Sequence, residues 1–131
     1  LFKSLKKGKD VTSEDGILVK NHLVTEDPAA PLSYAFCSDT RYNPEMVPLI
    51  QEVTALYHES TFLESEAALA APTKHSTAKQ AAEIAKSARV GMLILGHFST
   101  RYADINKFKE EAFTVFPNVI LGDDGHEIVV E

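Results

Sequence analysis

The sequence has a single cysteine, no long apolar run and no excess of positive charge. One cysteine, Cys37, excludes an internal disulfide and fits a reducing compartment. No apolar stretch approaches the roughly 20 residues that span a bilayer, and the basic N-terminus LFKSLKKGKD lacks the long apolar run of a signal peptide. A net charge of −6 argues against sequence-independent binding of nucleic acid by the whole surface.

What remains is the composition of an ordinary globular domain, with 44% hydrophobic and 24% charged residues in 131. Cys37 lies in the apolar stretch YAFCSD, and we interpret it as a buried small hydrophobe rather than a nucleophile. The segment LFKSLKKGK carries four lysines and no acid, which fits either a solvated terminus or a local basic site. Because the chain opens on Leu1 without a turn or a cap, we expect it to be part of a longer polypeptide.

Strand and helix patterns alternate along the chain. They predict helices at NPEMVPLIQEV, LESEAALAA, HSTAKQAAEIAKSA and INKFKEEAFTVF, buried strands at LSYAFCSD, VTALYHES and VGMLILG, and short strands around Val11, at 17–19, and at NVILG and HEIVV. Thr77 and Gln80 fit a capping box at the start of the third helix. The alternation predicts a layered α/β architecture, in which ligand sites lie beyond the carboxyl ends of the strands.

Chemically versatile side chains stand at these predicted strand ends. Asp39, the pair His58–Glu59 and His97 each end a strand, and His75 precedes a helix. In a roughly parallel sheet they converge on one edge, where Asp and neutral His suit zinc and a carboxylate such as Glu59 can hold a histidine in one tautomer. No pair has CxxC or HExxH spacing, so each residue also fits a purely structural role in a loop or cap. No role is assigned to His22, His58 or His126.

Four motifs in order, FCSDTR, YHESTF, HSTAKQAAEIA and LGHFSTRY, resemble the C-terminal half of ribonuclease Z. This family comprises zinc-dependent endonucleases of the metallo-β-lactamase fold that remove the 3′ trailer from precursor tRNA. HEST departs from the family's usual HEAT but keeps the histidine and the glutamate. The resemblance implies one αβ half of a four-layer αβ/βα sandwich.

The resemblance also implies a role for each matching residue. Asp39 matches the aspartate that bridges two zinc ions, and His97 matches a ligand of one of them. His75 resembles the candidate general acid, and Glu59 the carboxylate that orients it. Arg101 and Tyr102 match positions associated with substrate phosphate. For the intact enzyme, the resemblance implies two Zn²⁺ per active site, precursor tRNA as substrate, a homodimer, no membrane association and a cytoplasmic location.

Part of the family pattern is missing. The main metal motif HxHxDH, the later single histidine ligand and the tRNA-gripping arm do not occur in residues 1–131. We therefore expect 1–131 to be the C-terminal portion of a metallo-β-lactamase-fold domain, without the N-terminal half that carries HxHxDH, and to be inactive alone. The alternatives are another hydrolase of the same fold and a non-catalytic α/β binding domain with Asp39 as its acidic site.

Overall fold

The computed structural model describes residues 31–130 and the short stretches 11–12 and 18–19. The chain divides into two compact units, residues 1–31 and 32–131. In the first unit, strand β1 (Val11–Thr12) pairs antiparallel with β2 (Leu18–Val19). Short strands were predicted at these positions, and the pairing confirms them. The lysine segment before β1 and His22 lie outside the described residues.

The second unit is built on a parallel sheet. Its strands are β3 (Tyr34–Cys37), β4 (Ala55–Glu59), β5 (Met92–Gly96) and β6 (Val119–Leu121), hydrogen-bonded in that order and all parallel. Each crossover runs through helical or irregular segments, as parallel strands require. The carboxyl ends of the strands therefore lie at one edge of the sheet, as the sequence predicted.

One face of this sheet is covered by helices α2 (Ala78–Ala88) and α3 (Asn106–Phe113). Small side chains on α2 allow close packing on the strands, and five of its alanines are fully buried: Ala78, Ala81, Ala82, Ala85 and Ala88. Leu56, Leu93 and Leu95 from the strands and Phe108 from α3 complete this core without exposure. Thr77 caps α2 in the predicted capping box, because its hydroxyl accepts from the Gln80 N–H at 3.1 Å while Gln80 Oε1 accepts from the Thr77 N–H at 3.0 Å.

Two predicted helices take a different form. NPEMVPLIQEV contains a 3-10 helix, Pro44–Leu49, whose N-cap is Asn43. Pro48 lies inside it and has no N–H for an α-helical bond, which favours the short, tight form. LESEAALAA begins with a 3-10 turn, Glu64–Glu66, and continues as the single-turn helix α1 (Ala67–Ala70).

The opposite face of the sheet is apolar and largely open within the described residues. Phe36 and Tyr57 stack there with ring centroids 4.6 Å apart, and Tyr34 is 55% exposed. The prediction of a strand at HEIVV is wrong: residues 126–130 form no ladder. Instead, Ile128 and Val130 line a cavity together with Tyr34 and Tyr57 on this face, so the segment lies against the sheet rather than extending it.

Cys37 lies at the end of β3, partly buried against the core, and burial raises the pKa of its thiol. This agrees with the interpretation of the residue as a small hydrophobe. Among the helices that the structure describes, none combines the length and the apolar character that a membrane crossing needs.

Candidate active site

The site lies where strands β3, β4 and β5 end. His97 follows β5 directly and Asp39 lies two residues beyond the end of β3. Both have left-handed backbone, with φ of 60° for His97 and 50° for Asp39. Lys74, just before His75, also has a positive φ of 61°. This region is costly for residues with a Cβ, and such outliers concentrate where surrounding structure enforces a functional geometry. Three of the five non-glycine residues with positive φ in the described part of the chain therefore lie near this edge, and the other two, Glu52 and Arg89, lie elsewhere.

Asp39, His75 and His97 form a compact group. Each offers one possible ligand atom, and these atoms all lie within 4.8 Å of one another. His97 Nε2 is 3.4 Å from Asp39 Oδ1, and the rings of His75 and His97 stack with centroids 5.3 Å apart. The side chains of Asp39 and His97 are 71% and 45% exposed, and that of His75 is 24% exposed. The group is therefore open to a ligand from solvent.

Glu59 lies fully buried beneath this group and accepts four hydrogen bonds. Its Oε1 receives the Thr40 N–H at 3.0 Å and His75 Nδ1 at 2.7 Å. Its Oε2 receives the Thr61 N–H at 3.1 Å and the Thr61 hydroxyl at 2.7 Å. A buried carboxylate needs such donors in place of water. The hydrogen bond to Glu59 restricts the orientation of the His75 ring. The orienting role that the resemblance implies for Glu59 stays a prediction.

His58, next to Glu59, is fully buried on the helix-covered side of the sheet, between Cys37 and Leu95 on the neighbouring strands. Its Nδ1 donates to the Glu59 carbonyl oxygen at 2.7 Å. Its Nε2 is buried and has no hydrogen-bond partner among the residues that the structure describes. Burial lowers the pKa of His58, against a smaller opposing effect of the bond to Glu59. The geometry therefore describes a neutral structural histidine.

Arg101 and Tyr102 meet on a second carboxylate, Glu66. Arg101 Nη1 donates to Glu66 Oε2, and the Tyr102 hydroxyl donates to Oε1 while accepting the Leu63 N–H at 3.1 Å. The Arg101 guanidinium also lies 5.2 Å from the centroid of the Phe62 ring. Tyr102 lowers the pKa of Glu66 most, and Arg101 adds to this. The predicted phosphate-contacting pair is thus already held by an acid.

The Asp39–His75–His97 group fits a divalent metal of the zinc type. A carboxylate and imidazoles are the oxygen and nitrogen donors that zinc accepts. Each histidine has its Nδ1 engaged, by Glu59 in His75 and by Thr61 in His97 at 3.0 Å. Nε2 is then the ring atom left for a ligand. Three residues are fewer than the four ligands typical of zinc, and fewer than two ions need.

Comparison with known proteins shows what the chain is similar to. It is 45% identical to ribonuclease Z of Parabacteroides distasonis over 130 residues, which cover 99% of this chain and 43% of that protein. Ribonuclease Z of Cytophaga hutchinsonii is 48% identical over 129 residues, 96% of this chain and 41% of that protein. The resemblance to ribonuclease Z is confirmed. No family model matches the chain.

Solved structures place the fold. YhfI, a metallo-β-lactamase fold protein from Bacillus subtilis, superposes with a TM-score of 0.64 and 25% identity over 70% of this chain and 37% of that one. The short form of human tRNase Z gives a TM-score of 0.52 and 32% identity, over 65% of this chain and 27% of that one. The prediction of an α/β portion of the metallo-β-lactamase fold is confirmed. The chain spans 43% and 41% of the length of the two curated relatives above.

Sequence reasoning missed two residues of the site. Thr61 is the last residue of the quoted motif HEST, and its hydroxyl bridges Glu59 and His97. Its position two residues after Glu59, beyond a strand end, was the available signal. Glu66 lies in an acidic turn with no distinguishing pattern, and only the fold brings it to Arg101.

Proposed function

We propose that this chain is the C-terminal portion of a ribonuclease Z-type zinc endonuclease that removes the 3′ trailer from precursor tRNA. The proposal extends to the intact enzyme, as a cytoplasmic homodimer with two Zn²⁺ per active site. It is supported by the likeness to ribonuclease Z and to tRNase Z. The single observation that carries it is the Glu59–His75 pair at 2.7 Å, set beside Asp39 and His97 at one edge of the sheet.

In this proposal Asp39 and His97 are the residues of this chain that would hold the metal. Zinc, when bound, supplies charge stabilisation on the phosphate and activates the attacking water. The remaining ligands come from a part of the protein outside this chain. Two exposed side chains beyond the ends of β3 and β5 suit this role because a second set of ligands can approach them from solvent.

His75 acts as the general acid. Its Nδ1–H is held by the buried Glu59 carboxylate, whose negative charge stabilises the protonated ring. His75 Nε2–H then donates its proton to the departing 3′-oxygen, which leaves a tRNA 3′-hydroxyl and a trailer 5′-phosphate. The pair resembles a histidine and its orienting acid in other hydrolases, where the carboxylate fixes the ring and is not itself protonated.

Arg101 and Tyr102 contact a phosphate of the substrate. A guanidinium binds phosphate through two parallel hydrogen bonds, a geometry that suits Arg101 at the exposed rim of the site. In the structure its Nη1 donates to Glu66, so a phosphate bound through Nη1 would replace this carboxylate. Arg101 would then exchange the Glu66 carboxylate for a phosphate when substrate binds.

Comparison of His75→Ala with His97→Ala in the full-length enzyme tests these roles. A general acid contributes about 10²–10⁴-fold, so His75→Ala loses turnover by that factor, retains zinc and recovers partly on substrates with better leaving groups. His97→Ala loses zinc and activity together. Zinc content by elemental analysis and trailer cleavage at saturating zinc are the measurements.

The reverse pattern, with zinc lost in His75→Ala and retained in His97→Ala, contradicts the assignment. The same cleavage assay is run on the 131-residue chain alone with added zinc. Because its ligands are too few for two ions, we expect no turnover. Turnover comparable to that of an intact ribonuclease Z overturns the division of the site between this chain and the rest of the protein.

A further inference from the structure

The Thr61 hydroxyl lies between the side chains of Glu59 and His97, and it cannot donate its one proton to both. Its Oγ1 is 2.7 Å from Glu59 Oε2 and 3.0 Å from His97 Nδ1. Thr61 is only 8% exposed, and its contact with Glu59 is buried whereas its contact with His97 is partly buried. A hydroxyl has one proton to donate and accepts with its lone pairs. The two contacts must therefore differ in direction.

The direction follows from the surroundings of Glu59. Two backbone N–H groups, of Thr40 and Thr61, already point at the two carboxylate oxygens and can only donate. The carboxylate is the acceptor in this cluster, so the Thr61 proton goes to Oε2. Thr61 Oγ1 then accepts, and the His97 contact requires a proton on Nδ1. In the neutral ring this leaves Nε2 with its lone pair, and Nε2 is the atom 3.4 Å from Asp39 Oδ1.

We propose that Thr61 is a positioning residue that sets the tautomer of His97: its hydroxyl donates to Glu59, accepts from His97 Nδ1–H and so presents an unprotonated Nε2 beside Asp39. One buried carboxylate then orients both histidines, His75 directly and His97 through Thr61. The value of this tautomer for metal binding rests on the proposed function; the tautomer itself does not.

The test is the ¹⁵N chemical shifts of the imidazole nitrogens in metal-free, full-length protein with labelled histidine, at a pH where His97 is neutral. The His97 signals are assigned by their absence in His97→Gln. We expect a protonated Nδ1 and a bare Nε2 in the wild type. In Thr61→Val, which keeps the shape but removes the hydroxyl, the population shifts toward protonated Nε2. Thr61→Ser restores the wild-type pattern.

Thr40→Val is the matched control. The Thr40 hydroxyl donates to the Arg41 carbonyl oxygen, and Thr40 reaches Glu59 only through its backbone N–H. The same change of side chain therefore leaves the His97 tautomer unaltered. A protonated Nε2 in the wild type overturns the proposal without any variant, as does an unchanged tautomer in folded Thr61→Val.

Zinc affinity separates this inference from the proposed function. Loss of an outer hydrogen bond to a metal-binding histidine typically lowers metal affinity about 10–100-fold, and we expect this in Thr61→Val but not in Thr61→Ser. Unchanged affinity with a shifted tautomer overturns the positioning role. If the protein binds zinc with the expected tautomer yet leaves precursor tRNA uncleaved, the proposed function fails and the role of Thr61 stands.

Discussion

Two carboxylates organise the two halves of this site, and they do so in different surroundings. Glu59 is fully buried and accepts four hydrogen bonds, two of them from backbone N–H groups. Glu66 lies at the surface, where its side chain is 29% exposed and its partners are the side chains of Arg101 and Tyr102. Glu59 accepts hydrogen bonds from the side chains of His75 and Thr61. Glu66 accepts hydrogen bonds from those of Arg101 and Tyr102.

The two carboxylates differ in whether water or another anion can take over their hydrogen bonds. Glu59 is fully buried, so a change of its carboxylate leaves the Thr61 donors buried without their partner. Around Glu66 water and salt compete for the same donors, and surface ion pairs contribute little to stability. We infer that the buried acid provides a fixed frame for His75, whereas the surface acid holds Arg101 in a form that an incoming phosphate can displace.

The same substitution at both positions, Glu59→Gln and Glu66→Gln, gives the largest expected contrast. In Glu59→Gln the amide NH₂ group replaces one carboxylate oxygen and faces a backbone N–H donor, of Thr40 or Thr61. One buried donor is then left without an acceptor, which lowers the free energy of unfolding by about 1–3 kcal/mol. Glu66→Gln is stabilised by solvent and changes the free energy of unfolding much less. Urea unfolding of both variants is the measurement, and equal losses contradict the comparison.

Arg101→Ala sharpens the surface half of the comparison. Charge-assisted bonds to phosphate are strong, so we expect precursor tRNA to bind about tenfold or more weakly to the full-length enzyme, with zinc content unchanged. The matched control is Arg89→Ala, which removes an exposed arginine at the C-cap of α2. Binding is measured at two salt concentrations, because a lost phosphate contact lowers the salt dependence. Loss of zinc in Arg101→Ala would instead make the residue part of the metal site's support.

The sequence predicted what depends on local chemistry and on parallel topology. Thr77 and Gln80 form their capping box within one turn, and Asp39, Glu59 and His97 converge because parallel strands end at one edge. The Glu66 contacts depend on how distant segments pack, and Arg101 lies 35 residues away. HEIVV has an alternating pattern typical of a strand, but a strand also needs a neighbouring strand to pair with, and this segment instead lines a cavity on a face of the sheet.

The buried His58 makes the stability of the fold depend on pH. Burial lowers its pKa below the ordinary 6.5, so between the two values the unfolded chain binds more protons than the folded one. The contribution to stability is complete above 6.5 and is lost as the pH falls below it, with a slope of at most about 1.4 kcal/mol per pH unit. His58→Asn keeps a donor for the Glu59 carbonyl and removes the titration. The slope of unfolding free energy against pH should therefore flatten in this variant, and an unchanged slope contradicts the neutral buried state.

The smallest expected effect lies in the surface cluster and has the opposite sign. Hydrogen bonding to Tyr102, followed by Arg101, lowers the pKa of Glu66 below its ordinary 4.5. This contribution is present above 4.5 and is lost as the pH falls through the lowered value. Tyr102→Phe removes the larger cause, so the pKa of Glu66 should rise toward 4.5 in a ¹³C NMR titration of its carboxyl.

Arg101→Ala separates the two partners of Glu66 in the same titration. It removes both the hydrogen bond and the charge of Arg101, each a smaller cause than the Tyr102 hydrogen bond, and should also raise the pKa of Glu66. A larger rise in Arg101→Ala than in Tyr102→Phe means that charge, rather than the tyrosine hydroxyl, dominates the cluster. The acid would then hold Arg101 as a simple ion pair, which salt screens, and raising the ionic strength would move the pKa of Glu66 by a similar amount. If the tyrosine dominates, added salt leaves most of the shift in place, because a short-range hydrogen bond is not screened.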